Sequence, residues 1–80
     1  MPDYLRLAAA LDDEGFHCAA DLARLRQHDC RASIVRELAS AATWCGSDAL
    51  AQLTVAVESW GSDAFEADFA AYLARKAAAR

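Results

Sequence analysis

Alanine is the residue that most constrains how this chain folds. It occupies 21 of the 80 positions, and with the other apolar residues it brings the hydrophobic fraction to 56%. Alanine is the strongest helix former and adds little buried area, so this composition favours helices in close contact over a core of large side chains. Only one proline and three glycines interrupt the chain. We therefore predict an all-α fold.

The length limits the size of the core. A chain of 80 residues is near the lower limit of independent stability, which argues against a large catalytic fold with a buried cofactor. We predict one helical domain over residues 1–80, a compact bundle of about five short helices joined by tight Gly-Ser corners. No apolar run approaches the roughly 20 residues of a membrane span, and the N-terminus lacks the pattern of a signal peptide. We expect a cytoplasmic protein without membrane contact.

Apolar periodicity outlines the helices. The first is predicted to begin at Pro2 and Asp3 and to end at Gly15. Asp29 is a candidate cap for the third helix, which is predicted to end at Gly46. The predicted buried stripes are Tyr4, Leu7, Ala8 and Leu11; Cys18, Leu22 and Leu25; Ile34, Leu38, Ala41 and Cys45; Leu50, Leu53, Val57 and Trp60; and Phe65, Phe69, Tyr72, Leu73 and Lys76.

One motif occurs twice. Residues 44–50 read WCGSDAL and residues 60–65 read WGSDAF, which places a glycine, a serine and an aspartate in the same order. Glycine suits the left-handed position after a helix, serine accepts from the first N–H groups of the next helix, and aspartate complements its dipole. We predict two similar interhelical corners; the alternative is a duplicated ligand loop.

Cysteine and histidine offer a possible metal site. Cys18, His28, Cys30 and Cys45 are chemically suitable zinc ligands, but their spacing is not that of a zinc finger. Cys18 and Cys45 also fall on apolar stripes, where cysteine packs as a small hydrophobe. The chain has no phosphate-binding glycine loop and no hydrolase or metalloprotease motif. We predict no metal, no cofactor and no enzymatic activity.

Acidic residues form two clusters in a chain with a net charge of −4. A chain with few large apolar residues has little means of burying carboxylates, so we expect both clusters to be exposed and to meet a basic surface on a partner. The alternative is that they flank or cap helices and maintain solubility. The predicted partner-binding residues are Asp12, Asp13 and Glu14 in one cluster, and Asp63, Glu66 and Asp68 in the other.

The whole chain is similar to a class of small proteins from phages and mobile elements that inhibit bacterial defence, of which the anti-CRISPR proteins are the best known. The resemblance is one of profile: short, acidic, rich in alanine and arginine, and without a catalytic motif. It implies an inhibitor that acts by protein–protein interaction on a nucleic-acid-handling complex, with a CRISPR effector subunit as a candidate partner. Trp44, Trp60 or Tyr72 would anchor such a contact if exposed, and would otherwise belong to the core.

Residues 19–25 and 33–38 resemble a bacterial helix-turn-helix, with an alanine-rich first helix followed by the sequence SIVREL. The resemblance implies a DNA-binding regulator in which Arg31, Ser33 and Arg36 contact the groove. The turn at residues 27–29 lacks the usual glycine, and the negative net charge opposes phosphate binding. A small core also leaves apolar surface for association, so a homodimer is compatible with both hypotheses.

Overall fold

The computed structural model describes residues 3–25 and 31–78, and about 83% of them are helical. Five helices lie in these two ranges and no strand does. The all-α prediction is therefore confirmed. The helices are α1 (Asp3–Asp13), α2 (His17–Arg24), α3 (Arg31–Cys45), α4 (Asp48–Glu58) and α5 (Phe65–Ala78).

The contacts between residues divide the chain into two units. The first unit spans Met1–Arg31 and the second Ala32–Arg80. Helices α1 and α2 belong to the first unit, whereas α4, α5 and all of α3 beyond its first residue belong to the second. The prediction of a single domain stays a prediction.

A glycine turn joins α1 to α2. Gly15 has a φ of 90°, its N–H donates to the Asp12 carbonyl at 3.0 Å, and the Phe16 N–H donates to the Leu11 carbonyl at 2.8 Å. These two bonds form a Schellman motif, which satisfies carbonyls that the end of a helix leaves without partners. The predicted helix end at Gly15 is confirmed.

In the first unit, α1 buries both leucine and alanine side chains, whereas α2 buries alanine alone. Leu7 and Leu11 of α1 are fully buried, whereas every buried side chain of α2 is an alanine: Ala19, Ala20 and Ala23. The predicted α2 stripe is wrong, because Cys18 is exposed, Leu25 is 66% exposed, and Leu22 is half-buried. The small methyl groups face inward because they allow close contact between helices, and this turns the larger side chains of α2 outward.

Helix α3 buries two side chains, Ile34 and Leu38. Both belong to the predicted stripe, but Ala41 is half-buried and Cys45 is exposed. The stripe thus ends before the last turn of the helix. The predicted cap, Asp29, lies outside the described residues.

The core of the second unit lies between α4 and α5. The stripe Leu50, Leu53, Val57 and Trp60 is buried as predicted. Opposite it, Phe65 and Phe69 stack with ring centroids 5.4 Å apart, and Tyr72 lies 5.7 Å from Phe69. Leu73 does not belong to this core, since it is 51% exposed.

A hydrogen bond through a buried side chain joins the same two helices. Gln52, which is 8% exposed, donates from Nε2 to the main-chain carbonyl of Asp68 at 3.0 Å. This bond fixes the first turns of α5 against the middle of α4.

The two predicted corners differ. At the first, Gly46 has a φ of 62°, and the Ser47 hydroxyl caps α4 by accepting from the Leu50 N–H at 3.2 Å. At the second, α4 ends at Glu58, and residues 59–64 form consecutive turns before α5 begins at Phe65. There the Ser62 hydroxyl donates to the Ser59 carbonyl at 2.7 Å instead of capping α5. Gly61 has a φ of 90°, so the prediction of two similar corners is confirmed for the glycine of the second corner and wrong for its serine cap.

Among the described residues, none of the helices combines the length and the apolar character that crossing a bilayer requires.

Candidate partner-binding surfaces

Asp12, the first residue of the first acidic cluster, takes part in a network of ion pairs between α1 and α2. The Asp12 carboxylate accepts from His17 Nδ1 at 2.9 Å and from the Arg24 guanidinium. Arg24 also donates to Asp21 Oδ1 at 2.9 Å. Asp12 thus joins the end of α1 to both ends of α2.

This network shifts the pKa values of Asp12 and Arg24. The hydrogen bond from His17, followed by that from Arg24, lowers the pKa of Asp12 below its usual value. The hydrogen bond from Asp12 is the main cause that raises the pKa of Arg24. Both effects favour the ion pair, although screening by solvent keeps such an exposed pair weak.

The three carboxylates of this cluster therefore have different environments. Asp12 is engaged within the chain, Asp13 is exposed, and Glu14 is half-buried. The contact from Asp12 to the first residue of α2 fits the alternative that the cluster flanks that helix. A partner that binds Asp12 has to compete with His17 and Arg24.

The second acidic cluster surrounds the start of α5. Asp63 lies in the preceding turn and Glu66 in the first helical turn, and both are exposed. Asp68 is half-buried, and its main-chain carbonyl accepts the bond from Gln52. Carboxylates at a helix N-terminus are stabilised by the helix dipole. The Gln52 bond thus fixes the backbone of this cluster, while the side chains of Asp63 and Glu66 are exposed to solvent.

The residues of the helix-turn-helix hypothesis lie at the start of α3. Ser33 and Arg36 are exposed, and Arg31 is half-buried. Residues 19–24 of the hypothesis lie in α2 and residues 33–38 lie in α3. The turn between them, at residues 27–29, lies outside the described residues.

The cysteines do not pack as predicted. Cys18 and Cys45 are both exposed thiols, so neither is the small core residue that the apolar stripes indicated. Cys30 and His28 lie outside the described residues. Within residues 3–25 and 31–78, no group of three or more His, Cys, Asp or Glu side chains is placed to hold a metal ion.

The three candidate aromatic anchors differ in exposure. Trp60 and Tyr72 are 4% and 1% exposed and belong to the core, whereas Trp44 is 87% exposed at the end of α3. The sequence contains a sign of this difference: at about 100° per residue, Trp44 lies about 80° from Ile34 and about 120° from Leu38 around the helix, to one side of the buried stripe.

An open cleft lies in the second unit. Its volume is about 390 Å³, and its walls come from the first corner, the start of α4 and the end of α5. Sequence reasoning missed it, because it depends on how α4 and α5 pack. The lining residues are Gly46, Ser47, Asp48, Ala49, Arg75 and Ala78.

No protein-family model, curated protein or solved structure matches the chain.

Proposed function

We propose that this chain is a non-enzymatic, cytoplasmic protein-binding domain. It acts as a small inhibitor or regulator that occupies a basic surface on a bacterial nucleic-acid-handling complex. The observation that carries the proposal is the exposed pair of carboxylates, Asp63 and Glu66, at the start of α5.

The rigidity of the scaffold supports this role. Phe65 and Phe69 alternate with the acidic residues in sequence and are buried in the α4–α5 core, and Gln52 holds the Asp68 main chain. The carboxylates therefore extend from a backbone that is already ordered. A preorganised surface loses less conformational entropy on binding, which favours affinity.

Electrostatics supports the choice of partner. With a net charge of −4, the chain is attracted to a surface rich in lysine and arginine, and such attraction raises the association rate. Carboxylates fixed on a helix can occupy positions that otherwise receive nucleic-acid phosphates. A CRISPR effector subunit is the first partner to test, because the profile of the chain resembles anti-CRISPR proteins.

The first acidic cluster has a secondary part in this proposal. Asp13 and Glu14 extend the acidic surface, whereas Asp12 is held by Arg24 and His17. Substitutions of Asp12 would therefore alter the α1–α2 corner as well as any contact with a partner.

Charge reversal tests the proposal. We expect the double variant Asp63→Lys/Glu66→Lys to lose binding to CRISPR effector complexes and to basic proteins captured from a bacterial lysate. The matched control is Glu37→Lys/Glu58→Lys, which changes the net charge by the same amount at exposed positions on α3 and α4. The control should retain most of the binding. Equal loss in both variants, or no loss in either, would contradict the proposal.

A second measurement separates a local contact from long-range attraction. Binding of the wild type should weaken as salt rises, because the Debye length falls from about 10 Å at 0.1 M to about 3 Å at 1 M. The neutral variant Asp63→Asn/Glu66→Gln should bind less tightly and depend less on salt. An unchanged salt dependence would place the contact elsewhere on the chain.

The second candidate function is DNA binding through the helix-turn-helix. The exposure of Ser33 and Arg36 on the first turns of α3 favours it. It predicts duplex binding that weakens with salt and is lost in the Arg31→Ala/Arg36→Ala variant. Failure to retain DNA at low salt would refute this function.

A further inference from the structure

We propose that two copies of this chain form a closed dimer in which each inserts Trp44 into the cleft of the other. The inference goes beyond the proposed function and does not depend on it. It rests on two features of the second unit that are close in sequence, an exposed indole and an open cleft.

The protruding feature is the Trp44 side chain. It is 87% exposed, so it does not occupy the cleft of its own chain. An aromatic side chain buries about 150–250 Å² when it is enclosed, and tryptophan is enriched among the residues that dominate binding energy. Among the large apolar side chains that the structure describes in this unit, Trp44 therefore has the highest exposed fraction.

The receiving feature is the cleft between the first corner and the end of α5. At about 390 Å³, it falls within the range of about 300–1,000 Å³ typical of ligand pockets. Gly46, Ala49 and Ala78 contribute walls without large side chains. The space thus suits a planar aromatic group.

The charged residues of the cleft complement an indole. Arg75 carries a guanidinium that can stack on the aromatic face through a cation–π contact. Asp48 carries a carboxylate that can accept from the indole N–H. Together they match both polar properties of tryptophan, namely its electron-rich face and its single donor.

The relative placement of the two features favours a second copy as the occupant. Trp44 precedes Gly46, a residue of the cleft wall, by two positions. The inserted indole and the cleft that receives it therefore belong to the same unit and are close together in sequence. A two-fold axis through this region lets each copy be donor and acceptor at once, which closes the assembly at two chains.

Sedimentation equilibrium of the full chain, under reducing conditions because Cys45 is exposed, tests the proposal. The wild type should show a monomer–dimer equilibrium. Trp44→Ala removes the inserted group, and Ala49→Leu fills the cleft. Each should raise the dissociation constant by about 30-fold or more, the loss expected for a dominant interface residue. The control Leu25→Ala, at another exposed apolar side chain, should dimerise as the wild type does.

A mixture of the two variants makes the test specific. Trp44→Ala keeps its cleft and Ala49→Leu keeps its tryptophan, so one of the two insertions can form between them. The mixture should associate more tightly than either variant alone and less tightly than the wild type. If Ala49→Leu fails to fold by circular dichroism, Arg75→Ala replaces it, because that variant removes the cation–π partner at an exposed site.

Several results would overturn the proposal. They are a wild type that stays monomeric at all concentrations, dimerisation that survives Trp44→Ala, a mixture no tighter than its components, and assemblies larger than two chains. A monomeric wild type whose binding to a basic partner requires Trp44 would also overturn it and would assign the indole to that partner.

Discussion

The two tryptophans provide a direct test of the fold, because the same substitution is expected to have opposite effects at the two positions. Trp44 and Trp60 begin the two repeated corner motifs, yet Trp44 is 87% exposed and Trp60 is 4% exposed. Trp60→Ala should therefore destabilise the chain strongly, and Trp44→Ala should leave its stability nearly unchanged.

The magnitudes follow from the buried area. An aromatic side chain offers about 150–250 Å², and at about 25 cal/mol per Å² almost complete burial of Trp60 corresponds to about 4–6 kcal/mol. That value is an upper estimate, because the unfolded chain already hides some area; mutational series give about 3–5 kcal/mol for a buried tryptophan replaced by alanine. The small buried fraction of Trp44 corresponds to less than about 1 kcal/mol.

Urea unfolding followed by far-UV circular dichroism measures both free energies of unfolding. The protein concentration should be low enough to keep the chain monomeric, so that only folding contributes. A loss of less than about 1 kcal/mol for Trp60→Ala, or losses of similar size for the two variants, would refute the assignment of Trp60 to the core and of Trp44 to the surface.

Three further predictions concern the corners and the charged network. Ser47→Ala should cost about 0.5–2 kcal/mol of unfolding free energy because it removes a helix cap, whereas Ser62→Ala should cost less in the same urea assay; equal costs would mean that the two corners are alike after all. Gly46→Ala should cost about 1–2 kcal/mol of unfolding free energy, because a φ of 62° is left-handed and unfavourable for alanine. No atom lies within 4 Å of the added Cβ, so no steric clash adds to that cost. Thermal melts should show Gly46→Asn recovering part of that loss. The pKa of Asp12 is lower in the folded chain than its usual value of 3.8, so its carboxylate stabilises the fold above pH 3.8. That stabilisation is lost as the pH falls through the lowered pKa of the folded chain. Melts of the wild type and Asp12→Asn should therefore converge below that pH, and a constant difference down to strong acid would contradict the network.

The sequence predicts much of the fold, because the larger apolar residues are correctly spaced where the core is made of them. The stripes through Leu7 and Leu11, and through Leu53 and Val57, are buried as predicted. Prediction fails around α2, where Leu25, the residue after the helix, was expected to be buried and Ala20 is buried instead. Apolar periodicity gives most weight to large residues, whereas a close contact between helices selects small ones.

The candidate surfaces were less predictable than the fold. The exposure of Asp63 and Glu66 follows from their type and position, since carboxylates near a helix start face solvent. The pairing of Asp12 with Arg24 joins residues on different helices, and the cleft depends on the packing of α5 against the first corner. Neither can be predicted from local spacing, because each requires knowing which helix ends meet.

The alanine face of α2 has a consequence for how this chain tolerates substitution. Ala20 and Ala23 are fully buried. A larger side chain at either position has to displace its packed neighbours, which destabilises the fold. At Leu25, by contrast, the side chain extends into solvent, so side chains of different sizes can replace it. In a saturation mutagenesis experiment, the least replaceable positions of this helix are therefore its buried alanines, and the sequence would diverge fastest at Leu25, which directly follows the helix.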